Sequence, residues 1–117
     1  MAWIELAPVA AELTLRANGA LEWNTAMQVL LGNPQWVGLA WDSGNRYLGL
    51  HRQSRNAGFP VHADPGNGVF GIDSADALTD AGISVSPAHS ESPPILWVND
   101  GSYPGHSRPR IYYLTIP

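Results

Sequence analysis

Four histidines and six arginines are the groups through which this chain could bind or transform a ligand. His62 and Asp64 sit two apart, and on a strand they would share a face, as two metal ligands might. Asp64 also precedes Pro65-Gly66, where a carboxylate simply starts a turn, so a half-exposed strand end is the plainer account. His51, Arg52 and Arg55 form a small cationic group that could contact an anion or a phosphate; a solvated strand end explains them more simply. His106 with Arg108 and Arg110 is a second, weaker group of that kind. His89 and Glu91 fall in a Ser/Pro-rich loop, where solvation accounts for them.

Nucleophiles are scarce. The chain has no Cys, which excludes disulfides, thiolate metal sites and Cys catalysis. All six basic residues are Arg, so Lys Schiff-base chemistry is excluded as well. Ser74 begins a helix, where first-turn hydrogen bonding explains its hydroxyl. Ser102 and Ser107 flank His106, but adjacency in sequence does not build a triad. Asp73, Asp76 and Asp80 group on one short helix as caps and solvated charges. Gly66-Asn67-Gly68 lacks the spacing and the following helix of a phosphate or dinucleotide loop. The expectation is no catalytic residue, no metal and no cofactor.

The aromatics say more. Trp36 and Trp41 fall on opposite faces of one strand by its period of two. One face must be core; the other exposes an aromatic or is covered, and Gly38 and Ala40 beside Trp36 are small enough for a close neighbour. Ile111 to Ile116 is apolar on both faces, with Ile111 and Tyr113 set against Tyr112, Leu114 and Ile116. As a free edge such a strand is an aggregation hazard, unprotected by Lys or inward charge. Trp36, Trp41, Tyr112 and Leu114 are therefore the expected association surface, covered by a second copy in a two-fold dimer. The alternative cover is the Pro-rich stretches 84–94 and 99–109.

The elements that position these residues follow from local grammar. Trp3, Ile4 and Leu6 suggest a first strand ended by Pro8. Leu13 to Arg16 alternates, Asn18-Gly19 is a hairpin turn in which both residues tolerate positive φ, and Leu21 to Trp23 returns. Asn24 caps a helix with Ala26, Met27, Leu30 and Leu31 on one face, stopped by Gly32 and Pro34. Trp36 to His51 is the clearest hairpin, turned at Asp42-Ser43-Gly44-Asn45. Phe59 to Ala63 and Val69 to Ile72 read as two more strands. A second helix follows with Asp73 as N-cap, Leu78 on its apolar side and Gly82 in a left-handed C-terminal position over which Ile83 folds back. Ile95 to Val98 is short and apolar, and Arg110 to Ile116 closes the chain.

Taken together, these predict one α+β domain over residues 1–117. Its sheet is twisted and largely antiparallel, of six to eight short strands with curvature toward a half-barrel, and two short helices pack on it. The chain is 44% hydrophobic and 14% charged, with five Trp, four Tyr and two Phe as bulky core material. Its 22 Pro and Gly residues keep helices few and short. A net charge of -4 makes it a poor phosphate binder, so nucleic acid is an unlikely partner. No apolar run approaches the ~20 residues that cross a bilayer, and the N-terminal stretch lacks a basic leader region. The expected location is the cytoplasm.

Asn18-Gly19, Trp23-Asn24, Pro34, Trp36-Val37, Leu39, Trp41-Asp42, Leu48-Gly49-Leu50, Ser74-Ala75, Leu78 and Gly82-Ile83 together make a recurring pattern. In it the chain resembles a group of small bacterial and phage-borne proteins that share a strand, an NG turn, a short helix and a hairpin. The resemblance covers roughly 70 of the 117 residues, from Leu13 to about Ile83. It implies an α+β fold and no activity. After Pro87 the chain departs from the pattern. The function expected is a non-enzymatic protein-interaction or assembly module that self-associates. The alternatives are a nucleic-acid-associated accessory protein and a small ligand binder or enzyme built around His51, Arg52, Arg55 and His62.

Overall fold

Two hairpins of different design found two sheets. In a computed structural model that describes residues 2–4, 6, 9–53, 58–64, 66–84, 89–91, 93, 95–96 and 111–117, β1 (Leu13–Leu15) pairs antiparallel with β2 (Leu21–Asn24), Leu15 opposite Leu21. The connection is longer than the two-residue turn expected of Asn18-Gly19. Arg16 N–H donates to Ala20 O at 2.8 Å and Gly19 N–H to Arg16 O at 2.9 Å. Of the pair, Gly19 alone takes a positive φ, 89°. Asn18 uses its side-chain oxygen instead, accepting the Ala20 N–H at 3.0 Å.

β2 runs straight into α1 (Thr25–Leu30) because Asn24 is extended and its Oδ1 accepts the Met27 N–H at 3.0 Å. Gly32 ends the helix at φ 86°. The buried side of α1 is Met27, Gln28 and Leu31, while Leu30 is 51% exposed, so the expected Leu30 contact is not made. Gln28 can be buried because it is satisfied: its Oε1 accepts the Trp23 indole N–H at 2.7 Å and its Nε2 donates to Pro34 O at 3.2 Å.

The second hairpin is β3 (Trp36–Asp42) and β4 (Tyr47–Arg52), in register from Val37 opposite Arg52 to Asp42 opposite Tyr47. Asp42 clamps its turn. Asn45 donates its side-chain amide at 2.9 Å and its backbone N–H at 3.2 Å, and Gly44 adds a backbone N–H at 3.0 Å. These bonds favour the charged carboxylate, the Asn45 side chain foremost, and hold Asp42 below its ordinary pKa of 3.8. The contribution is present above that value and lost as pH falls through the lower folded pKa. Asn45→Ala should move the Asp42 midpoint back up toward 3.8 in an NMR carboxyl titration; an unmoved midpoint would exclude the Asn45 amide as the cause.

The next segment departs from expectation. Phe59 to Ala63 is not one strand: β5 (Phe59–Pro60) pairs with β3, and β6 (His62–Asp64) pairs with β7 (Val69–Ile72) in the other sheet. The chain changes sheets at Val61, whose N–H donates to Gln35 O at 2.9 Å. α2 (Ala75–Asp80) follows, with Ser74 rather than Asp73 at its N-cap. The Ser74 hydroxyl makes no first-turn bond; fully buried, it donates to Gly19 O at 2.7 Å and fastens α2 to the first hairpin. Gly82 ends α2 at φ 75°, and Ile83 N–H returns to Leu78 O at 2.9 Å, as the sequence predicts.

β8 (His89–Glu91) pairs with β1, β9 (Ile95–Leu96) with β10 (Ile111–Thr115), and β10 with β4. The strands thus form two five-stranded antiparallel sheets, β6-β7-β2-β1-β8 and β5-β3-β4-β10-β9, rather than one. Leu13, Leu15, Leu21, Trp23 and Ile72 from the first join Val37, Leu48, Leu50, Tyr112 and Leu114 from the second in one buried core. At each flank a single stretch of chain supplies an edge strand to both sheets: β5 then β6, and β8 then β9. The fold is α+β with unclosed sheets, in line with the class expected. Trp3, Ile4 and Leu6 do not form a strand. No helix among the described residues is long and apolar enough to cross a membrane.

Candidate functional site

The outer face of the first sheet carries polar residues in register. Glu22 and Asn24 alternate with buried Leu21 and Trp23 along β2, so their side chains point away from the core. Pairing extends the row across the sheet as His62, Gly71, Glu22, Thr14 and Ser90. Gly71 makes the gap in that row. A Cβ there would lie 3.1 Å from His62 Cε1 and 3.3 Å from Glu22 Cγ, so imidazole and carboxylate lean over the glycine from either side. Glu22 accepts from Arg16 Nε at 3.1 Å, and Thr14 and Ser90 share a hydroxyl hydrogen bond of 2.7 Å. His62 Nε2 lies 3.6 Å from Asp73 Oδ1, both groups well exposed, an ion pair when the imidazole is protonated.

Beside this row lies an open trough of about 240 Å³ lined by Glu12, Thr14, Glu22, Asn24, Asn67 and Gly68. Asn67 is fixed by its amide on Asp64 Oδ2 at 2.6 Å. Asn24 is fixed by three bonds at once. Besides capping α1, its Oδ1 accepts the Glu12 N–H at 3.1 Å, and its Nδ2 donates to Ala10 O at 2.8 Å. One side chain therefore ties the entering chain to the start of the first helix.

Before that anchor the described side chains are apolar and uncovered. Trp3, Ile4, Leu6 and Val9 are 89%, 81%, 86% and 76% exposed, and Val29 and Leu30 on α1 are 60% and 51% exposed. These are the large hydrophobic side chains left in solvent among the described residues.

The surface expected from the aromatics is placed differently. Tyr112 and Leu114 are 3% and 0% exposed and belong to the core, Tyr112 reaching Leu30 O at 3.4 Å. β10 is not an edge, because β9 pairs along it. Ile111, Tyr112, Leu114 and Ile116 are buried within the chain and Tyr113 is half-buried, so the free edge on which the dimer argument rested is closed at Ile111 and Tyr112. Trp36 and Trp41 are half-buried. Trp41 packs on the core with the Arg46 guanidinium 5.4 Å from its ring centroid, a cation–π contact.

The described members of the cationic group do not converge either. His51 is 4% exposed and lies opposite Gly38, where a Cβ would collide with its ring, on the outer face of the second sheet. His62 stands on the outer face of the first sheet, on the far side of the core. Arg52 is turned to α1, its Nη1 3.1 Å from where a Cβ on Gly32 would be. Arg55 lies outside the described residues, as do His106, Arg108, Arg110, Ser102 and Ser107. Among the described residues no group of three or more His, Asp or Glu side chains could hold a metal ion. Sequence reasoning missed the exposure of Trp3, Ile4 and Leu6 by assigning them to a strand. Their signal was there: Trp3 and Ile4 or Leu6 fall on opposite parities, which no one-sided strand satisfies. No family model, curated protein or solved structure matches the chain.

Proposed function

We propose that this chain is a non-enzymatic docking module of the cytoplasm, and that its work is protein association through the segment around Trp3, Ile4, Leu6 and Val9. One observation carries the reading: four large apolar side chains, each at least 76% exposed, precede a body whose other large hydrophobics are mostly folded inside. Leaving such surface in water is unfavourable by about 25 cal/mol per Å², which a partner would recover. The net charge of -4 and the absence of Lys weigh against nucleic acid as that partner. His51 and His62, on opposite outer faces, weigh against an enzyme built on both.

The test is a photo-crosslinking amino acid placed at position 3 of the full chain in cells. Discrete protein adducts that disappear when Leu6→Asp is added are expected. A diffuse smear, or none, would remove the docking reading. A small-ligand binder is a second reading, favoured by the trough between Glu12, Glu22 and Asn67. Its two carboxylates select a cationic polar ligand, and amide shifts confined to those residues on adding small guanidinium or polyamine compounds would support it.

A further inference from the structure

We infer that the partner of the N-terminal segment is a second copy of this chain, each copy laying its segment onto helix α1 of the other. The inference rests on the docking reading above and goes further by naming the occupant.

The chain carries both halves of such a contact, and neither is satisfied within it. The donor is the segment with Trp3, Ile4, Leu6 and Val9; the receiver is the Val29–Leu30 pair on α1. In extended chain, Trp3 and Val9 point to one side and Ile4 and Leu6 to the other. A segment apolar on both sides needs cover on both. At a two-fold interface the partner supplies the cover that its own body does not.

The geometry places the two halves together. Asn24 holds Ala10 and Glu12 at the root of the segment and caps the N-terminus of α1. Val29 and Leu30 lie within about 9 Å of that cap at 1.5 Å rise per residue. The seven residues from Trp3 to Val9 can extend over roughly 23 Å, so a short crossing near a two-fold axis lets each segment reach the other helix. At their exposures the six side chains present on the order of 700 Å² of apolar surface per copy. A two-fold pair then buries on the order of 1,400 Å², inside the ~1,200–2,000 Å² of specific stable interfaces.

The experiment is sedimentation equilibrium on the full chain and three preparations: Leu6→Glu, Leu30→Arg, and their equimolar mixture. Far-UV circular dichroism checks that each variant is folded; both positions are exposed, so the spectra should not change. The wild type should sediment at twice 12.6 kDa at micromolar concentration. Each variant alone should be a monomer. The mixture should regain the dimer, because one segment then meets its opposite charge on α1 and the other meets a native helix. A wild-type monomer up to about a hundred times that concentration would overturn the inference, as would a dimer that neither variant affects, or a mixture that stays monomeric. Should either variant lose its fold, Val9→Asp and Val29→Asp, read singly for loss of the dimer, take its place. A monomer in isolation that still forms a discrete crosslink to a different protein in cells would remove the second copy and leave the docking reading standing.

Discussion

Leu114→Ala should lower the stability of the chain by about 3–5 kcal/mol in denaturant melts. Leu114 is fully buried, faces Leu48 across the β4–β10 ladder and belongs to the core shared by both sheets. Its loss removes apolar burial and leaves a cavity that two sheets, tied together at both flanks, are poorly able to close. Leu39→Ala is the informative comparison. Leu39 is half-buried and packs on the margin of the same core, so its truncation should cost less than Leu114→Ala by at least ~1 kcal/mol. Equal losses would mean that Leu114 is not more deeply packed than Leu39.

Gly19→Ala should be far more damaging than Gly82→Ala, although both glycines take positive φ. Gly19 sits at φ 89°, and a Cβ there would stand 2.9 Å from the backbone Cα of Ala75. Ala75 is the first residue of α2 and cannot yield without pulling Ser74 from its bond to Gly19 O. The substitution combines left-handed strain with steric overlap and should cost roughly 2–4 kcal/mol. Gly82 supplies the control. It too has positive φ, 75°, but nothing lies within 4 Å of its Cβ position. Gly82→Ala should therefore cost only the strain, about 1 kcal/mol. If thermal melts show the two variants to be equal, the close approach of α2 to the first hairpin is wrong.

What was legible in the sequence is what short-range contacts decide. The Asn24 cap, the Gly32 and Gly82 stops and the Trp36–His51 hairpin all rest on bonds between residues near one another in the chain. Sheet membership was not legible. Phe59 to Ala63 has one continuous strand-like pattern, yet Val61 turns it from one sheet to the other because the available partners, β3 and β7, lie in different layers. The short β8 has no propensity signal of its own and exists because β1 offers a free edge. The same blindness governed the candidate residues. Tyr112 and Leu114 look like surplus surface only while the second sheet of the core is unseen. His51 and His62 look like neighbours only until the sheets place them on opposite sides. The pairing of His62 with Glu22 across Gly71 needs a register that joins residues 40 positions apart, which no local pattern encodes.

The β8–β9 crossing also sets a clock. Through it, Leu13 must find Glu91 and, a few residues later, the same stretch must meet Ile111. The first sheet does not gain its β1–β8 ladder until Leu13 and Glu91, far apart in sequence, have come together, so the entropy of closing a long loop is spent before contacts repay it. Chains of this topology refold in milliseconds to seconds rather than microseconds. Because one stretch serves both sheets, the two should gain and lose amide protection together, as one unit in hydrogen exchange rather than two.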